Sequence, residues 1–268
     1  MLTDTQRDRF EVVLVSPRNP LNIGAVARAM ANFAFSRMSV VAPYEPHWRE
    51  ARSAIGAPEL LQNAKETESL AEAVRDCTLV VGTGTLTYRK PQQPVLSLTA
   101  LAPIVEQHLG RDGRIALVFG PEKHGLTRDD LSFCHVLVEI PTDPRQPSMN
   151  LGQAAAVCLY ELAAHTASAD DVPSLASPIN NPSLPSGGEA QSPYAPSGSL
   201  DLLATLIHDV MVEADYSPLK MQAANRHSIR LLLRRLGLNS ADNKRILGLF
   251  RRILWRLRRS SFSSNVTD

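Results

Sequence analysis

Residues Arg114 to Leu162 read R-I-A-L-V-F-G-P-E-K-H-G-L-T-R-D-D-L-S-F-C-H-V-L-V-E-I-P-T-D-P-R-Q-P-S-M-N-L-G-Q-A-A-A-V-C-L-Y-E-L. Two short apolar runs, Ile115–Phe119 and Val136–Ile140, have the length and β-branched content of buried strands. Each runs straight into unusual loop chemistry. The first is followed by Gly120-Pro121-Glu122-Lys123-His124-Gly125, the second by Pro141 to Pro147, with prolines at 141, 144 and 147. Ser148-Met149-Asn150 then opens a helix predicted over Leu151 to about Ala164. A strand that ends in a stiff, polar loop before a helix is where open α/β sheets bind ligands.

Working outward, Glu11–Ser16 reads as a first buried strand. It leads through Pro17–Gly24 into a helix predicted from Ala25 to about Phe35, with Asn22 as its expected N-cap and Arg28 in its first turns. Met38–Ala42 and Thr78–Val81 read as further strands, with helices over Glu59–Lys65 and Ser69–Asp76. The third strand ends in Gly82-Thr83-Gly84-Thr85, a flexible loop continuing to Tyr88-Arg89-Lys90. Ser97 is placed to cap a helix reaching about Leu109. The alternation of strand and helix predicts an α/β domain with a mainly parallel sheet.

Residues 167–199 are rich in Ser, Pro, Gly, Asn and Ala and read as a flexible linker. Helical periodicity returns at Leu200. Leu202, Leu203, Leu206, Ile207, Val210 and Met211 suggest one face, and Ile229, Leu232, Leu233 and Leu236 a second. A last helix, capped by Ser240, would turn Ile246, Leu249, Phe250, Ile253 and Leu257 inward. The expected division is 1–166 as the α/β domain, 167–199 as linker and 200–268 as a basic helical module.

The chain of 268 residues has a net charge of +1, which conceals an asymmetry. Residues 199–268 hold 12 Lys and Arg against 6 Asp and Glu, a net of +6, and the remainder carries −5. A basic tail on a slightly acidic body points to an anionic partner. No apolar run approaches a membrane span, and the first ten residues lack the apolar core of a secretory signal. Cys77, Cys134 and Cys158 are scattered, without metal or disulfide spacing, so a cytoplasmic location is expected.

Two motif look-alikes fail. Gly120 and Gly125 have P-loop spacing, but Leu126-Thr127 follows where Lys and Ser or Thr are required. Gly82 and Gly84 lack the third glycine and the acidic residue of a dinucleotide fingerprint. His124 and His135 read as ordinary loop and strand histidines. Three loops survive, carrying Asn22 and Arg28, Glu122, and Ser148 with Asn150. Each residue alone has an ordinary structural reading as a helix cap, a surface charge or a loop acid, and spacing alone leaves those readings open.

Together, N-P-L-N-I-G-A-V-A-R-A (19–29), A-L-V-F-G-P-E-K-H-G-L (116–126) and the segment from Ile140 to Leu162 resemble the three signature motifs of the SPOUT-class RNA 2′-O-ribose methyltransferases, in the TrmH-like branch. The resemblance spans roughly Phe10 to Ala164. An N-terminal catalytic domain with a linker and a short basic helical module looks most like the TrmJ subgroup, which methylates nucleotide 32 in the tRNA anticodon loop.

That resemblance implies a SPOUT fold with a C-terminal deep trefoil knot, followed by a small α-helical module. It implies S-adenosyl-L-methionine bound by backbone groups of Thr83-Gly84-Thr85, of Phe119-Gly120, and of Ile140 with Pro147-Ser148-Met149. It implies catalytic-site roles for Arg28, Ser148, Asn150, Asn22 and Glu122. Arg28 would contact the 2′-oxygen and adjoining phosphate, either as base or as positioning group, and Glu122 would hold the loops together. The family pattern implies a homodimer formed by the helices after Gly24 and Asn150, tRNA as partner, no membrane and no required metal. Another tRNA site, a ribosomal RNA site, and a non-catalytic knotted RNA-binding protein are the alternatives. One departure stands out: the family often has Asn-Phe-Gly at the end of the first helix, where this chain has Asn32-Phe33-Ala34. A slightly different turn is expected there, without loss of activity.

Overall fold

The computed structural model describes residues 2–85, 91–164 and 193–264, with side chains to 259. The expectations for Tyr88-Arg89-Lys90 and for most of the 167–199 linker lie outside the described residues. In chain order the first part comprises α1 (Asp4–Arg7), β1 (Phe10–Val15), α2 (Pro20–Asn32), β2 (Met38–Val41), α3 (Pro58–Asn63), β3 (Lys65–Thr67) and α4 (Leu70–Ala73). It continues with β4 (Leu79–Thr83), β5 (Val95–Leu96), α5 (Leu98–Leu109), β6 (Ile115–Phe119), α6 (Arg128–Leu131), β7 (Val136–Val138) and α7 (Leu151–Ala164). Three helices follow: α8 (Ser197–Glu213), α9 (Gln222–Leu236) and α10 (Ser240–Ser264).

The seven strands form one sheet in the order β3-β2-β1-β6-β4-β7-β5. Every pairing is parallel, with Val13 opposite both Ser39 and Val118 at the centre. A parallel sheet is covered on both faces, which is why β1, β4 and β6 are buried along their whole length and mostly apolar rather than alternating. Val12 and Leu14 enter the core beneath α2, α5 and α7. Val13 and Val15 enter the second core with Leu70, Val74 and Leu131. The chain runs outward from β1 through β2 to β3, then crosses to fill the other side. The strand order therefore reverses between β1 and β6, a topological switch point.

Helix α2 starts five residues before the expected Ala25. Asn19, not Asn22, is its N-cap, with Oδ1 accepting from the Leu21 N–H at 2.9 Å. Pro20 at the first helical position explains this, because its fixed φ suits a helix start and its missing N–H costs nothing there. Asn22 consequently lies inside the first turn. Gly24 is required by packing: a Cβ there would come within 2.8 Å of the Ala54 nitrogen. The segment from Pro43 to Gly56 is anchored by Trp48, which is fully buried and donates to Glu66 at 3.2 Å. The expected helix ends at Lys65, the first residue of β3, and neither β3 nor β5 is among the expected strands. One is a charged edge strand and the other is two residues long, so neither shows an apolar run.

The C-terminal helices pack on the sheet domain. Residues 193–199, assigned to the linker, are placed firmly in the structure. Tyr194 stacks on His108 with centroids 4.1 Å apart, and the Ser197 and Gly198 N–H groups donate to Cys77 and Arg75 carbonyls at 2.8 and 2.9 Å. Arg234 is buried at this seam. Its guanidinium donates to the Phe133 carbonyl and Asp201, both at 2.8 Å, and to the Ser197 hydroxyl at 3.1 Å. Burying Arg234 rotates α9 so that Leu231 faces inward and Leu232 outward, against the expected face. Leu202 and Leu249 are likewise exposed, while Leu200, Leu203, Leu247 and Leu254 are buried. Asn239 rather than Ser240 caps α10, accepting from the Asp242 N–H at 2.8 Å. Gly237 ends α9 in the left-handed region, as expected.

At the end of α2, Ala34 has a φ of 59°. That left-handed backbone costs an alanine about 1 kcal/mol, and glycine adopts it freely. Ala34→Gly is expected to raise unfolding stability, by up to about 1 kcal/mol after the added chain entropy of glycine. Denaturant melts of the two proteins check this, and a less stable variant would show that the turn tolerates alanine without strain.

Candidate active site

Glu122, in the loop after β6, reaches across the switch point to the loop after β1. Its Oε2 accepts from the Arg18 N–H at 3.1 Å, and its Oε1 from the Asn19 N–H at 3.2 Å and the Asn22 side-chain amide at 2.8 Å. The other end of the Asn22 amide accepts from the Asn150 Nδ2 at 2.9 Å. The Asn150 Oδ1 then accepts from the Gly152 and Gln153 N–H groups at 2.9 and 3.4 Å, capping α7. One chain of hydrogen bonds thus joins the loops after β1 and β6 to the start of α7. Asn22 can serve it because an amide both donates and accepts.

Burial acts to raise the Glu122 carboxyl, but the hydrogen bonds from the Asn22 amide and from backbone N–H groups, those of Arg18 and Asn19 among them, outweigh it and hold it below the ordinary value. The carboxylate is therefore the form the site is built around.

Local geometry explains the glycines. A Cβ on Gly120 would lie 2.2 Å from the Leu126 nitrogen, so the turn after β6 folds only with glycine there. Gly125 takes a φ of 63°. In the loop after β7, Asp143 accepts from the Arg145 N–H at 2.8 Å and pairs with its guanidinium at 2.7 Å. The Thr142 and Thr85 hydroxyls both donate to the Pro147 carbonyl, at 3.1 and 3.0 Å. The Gly84 N–H donates to the Val138 carbonyl at 3.2 Å, so the loop after β4 lies against the loop after β7.

The nine residues associated by resemblance with S-adenosylmethionine fall on these same loops. Thr83 is buried with its hydroxyl donating to the Val118 carbonyl, and Phe119 is buried in the core. Both side chains serve packing. The N–H groups of Ile140, Ser148 and Met149 have no partner among the described residues. A Cβ on Gly84 would meet nothing within 4 Å.

Asn22, Glu122 and Asn150 are brought together by the fold. Ser148 is exposed two residues before Asn150, and its side chain does not join the network. Arg28 also stands outside it, exposed on α2 about 9 Å further along the helix than Asn22 and unpaired among the described residues. Sequence reading missed Asn19 and Arg18, although an Asn followed by Pro before a helix is a recognisable N-cap signal. His135 is an ordinary structural histidine, partly buried: its Nδ1 accepts from the Val80 N–H at 3.1 Å, and loss of hydration, with the Arg234 and His108 charges, holds it well below its usual range. Among the described residues, no three His, Cys, Asp or Glu side chains form a metal-binding group, and no helix is long and apolar enough to cross a membrane.

A carboxyl whose folded pKa is depressed contributes stability above its unfolded pKa and loses it as pH falls through the folded value. Glu122→Gln is therefore expected to destabilise the protein at neutral pH, with the difference from wild type shrinking below about pH 4.5. Urea melts across pH 3 to 7 check this. A difference independent of pH would show that the charge of Glu122 is not what its partners recognise.

Comparison with known proteins places this site in a family. Residues 9–160 match the SpoU rRNA Methylase family. The tRNA (cytidine/uridine/adenosine-2′-O-)-methyltransferase TrmJ of Pseudomonas aeruginosa strain UCBPP-PA14 is 40% identical over 156 residues, 58% of this chain and 60% of that protein. The tRNA (cytidine-2′-O-)-methyltransferase TrmJ of Methanocaldococcus jannaschii is 35% identical over 156 residues, 57% of this chain and 66% of that one. The matched segment thus spans about three fifths to two thirds of the length of these relatives. Among solved structures, TrmJ from Z. mobilis ZM4 superposes with a TM-score of 0.74 at 26% identity, covering 91% of this chain and 98% of the other. A probable methyltransferase from Bordetella pertussis Tohama I gives 0.56 at 28% identity, covering 60% and 98%. With a matched region of more than half its length, containing the whole Glu122–Asn22–Asn150 network, the chain belongs to the SpoU rRNA methylase family.

Proposed function

We propose that this protein transfers a methyl group from S-adenosylmethionine to a ribose 2′-hydroxyl of tRNA, at nucleotide 32 of the anticodon loop. The observation that carries the reading is the hydrogen-bond chain from Glu122 through Asn22 to Asn150, which fixes the loops at the switch point of the sheet. Relatives named as tRNA 2′-O-methyltransferases support the substrate class.

S-adenosylmethionine supplies, when bound, an electrophilic methyl group on a sulfonium. Two features suit the loops to it: the N–H groups of Ile140, Ser148 and Met149, which have no partner among the described residues, and the open space beside Gly84. Thr83, Thr85, Phe119, Gly120 and Pro147 complete the cradle through backbone groups, which need close approach rather than side-chain reach.

The remaining work falls to the chain's own residues. With the cofactor bound, they would have to hold the ribose hydroxyl against its methyl group and give the hydroxyl proton a way out. Guanidinium groups keep their charge in neutral water, which suits Arg28 to gripping the adjoining phosphate and stabilising negative charge developing on the oxygen. The proton then passes to water or to a phosphate oxygen. Ser148 and Asn150 orient the ribose, while Asn22 and Glu122 act as positioning residues beneath them.

In this reading the protein is a homodimer through α2 and α7, where Leu21, Val157 and Tyr160 are exposed and Phe33 packs edge-on against Tyr160. Each Arg28 then serves a site completed by the partner. The loop after β7 is part of a trefoil knot, and the basic C-terminal helices, packed on the sheet domain, contact RNA phosphates. Binding is then expected to be salt-dependent. The family's description names rRNA, which makes ribosomal RNA the second substrate to assay.

The test is transfer from labelled S-adenosylmethionine to unmodified tRNA, followed by mapping of the modified nucleotide. Wild type is expected to modify nucleotide 32, and Arg28→Ala to lose at least about 100-fold in transfer while still binding the cofactor. Modification at another nucleotide would overturn the position. Full activity in Arg28→Ala would overturn the role of that residue.

A further inference from the structure

Beside the network lies a feature that the proposed chemistry does not use. Tyr44, in the loop after β2, is 69% exposed although it is a large aromatic. The Arg18 guanidinium lies over its ring, 5.5 Å from the centroid. Arg18 has no carboxylate partner among the described residues. Both side chains are exposed beside one another at the carboxyl end of the sheet.

Their backbones are held in place. The Tyr44 N–H donates to the Pro17 carbonyl at 3.2 Å, joining the loops after β1 and β2. The Arg18 N–H is one of the donors to Glu122. Ser16 and Ala42, which end the two strands, both take left-handed backbone, with φ of 44° and 42°. Non-glycine residues hold that conformation only where the surroundings enforce it, and such strain clusters at functional sites. Two adjacent strands thus end in the same strained turn, each presenting one half of the Arg–Tyr pair.

We infer that Tyr44 and Arg18 form a stacking platform for an unpaired RNA base next to the nucleotide being methylated. This rests on the methyltransferase reading above and adds a substrate-positioning element to it. Single-stranded loops are recognised by splaying bases onto aromatic rings and guanidinium planes, and every base offers a π-face for such contact. A tyrosine anchored through its own main chain is pre-ordered for that contact. Arg18 supplies a second planar surface and a positive charge for the flanking phosphate. Because Arg18 hangs from the residue that Glu122 holds, a base seated here is in register with Asn22 and Asn150.

The experiment measures tRNA affinity, S-adenosylmethionine affinity and methyl transfer for wild type, Tyr44→Ala, Tyr44→Phe and Arg18→Ala. Loss of one stacked base weakens binding by roughly 5- to 150-fold. Tyr44→Ala is expected to lose tRNA affinity in that range, Tyr44→Phe to retain it, and Arg18→Ala to fall between them, all with unchanged cofactor affinity. Equal tRNA affinity in Tyr44→Ala and wild type would overturn the platform. So would an equal loss in Tyr44→Phe, which would assign the effect to the hydroxyl. Wild-type methyl transfer is scored separately: its absence from a protein that binds tRNA overturns the methyltransferase reading, while the affinity comparison still decides the platform.

Discussion

A carboxylate at the switch point of a parallel sheet organises the rest of this site. Glu122 accepts from the N–H groups of Arg18 and Asn19 and from the amide of Asn22, and these donors lie in the loop after β1 and the first turn of α2, about 100 residues earlier in the sequence. The carboxylate can sit there only because β1 and β6 are neighbours in the sheet. A partly buried charge needs such partners to offset its lost hydration. In return it satisfies the N–H of the Asn19 N-cap and of the residue before it. Charge and helix terminus stabilise each other, and the loop takes its shape from both.

From that point the constraint spreads by contact. Asn22 passes it to Asn150, and Asn150 passes it to the first turn of α7. Helices α2 and α7 can approach closely because Gly152 faces Ala25, where a Cβ would come within 2.7 Å of the alanine methyl. Small residues at that crossing set the separation at which the two amides meet. The stiff loop between β7 and α7 is braced from the other side by Thr85 and Thr142 on the Pro147 carbonyl. A preorganised arrangement of this kind holds reacting groups without a reorganisation cost at the moment of reaction.

Much of this was readable in the sequence, because buried parallel strands are continuous apolar runs and Ile115–Phe119 could hardly be anything else. Helix α7 was found at the observed bounds, Leu151–Ala164, since its start is marked by Asn150 and its apolar content is high. The start of α2 was misplaced because two asparagines, Asn19 and Asn22, compete as caps, and Pro20 decides between them. Strand β3 escaped because Lys65-Glu66-Thr67 is stabilised by its neighbour's backbone rather than by its own side chains. The faces of α9 were misjudged because leucine counting assumes that charged residues point outward. Arg234 points inward, where Asp201, Ser197 and the Phe133 carbonyl satisfy it. Motif reading identified Asn22, Glu122 and Asn150 as important, but only the three-dimensional arrangement makes them one connected unit.

The central claim is that these three residues act as a unit, with Asn22 as the link between two side chains that make no direct bond to each other. A double-mutant cycle on unfolding free energy with Glu122→Gln and Asn150→Ala tests it most directly. A coupling of at least about 0.5 kcal/mol is expected, the range found for residues in one hydrogen-bond network. That coupling should vanish when the cycle is repeated in an Asn22→Ala background. Effects that add to within about 0.3 kcal/mol in the wild-type background would contradict it, and would mean that each residue caps its own loop independently.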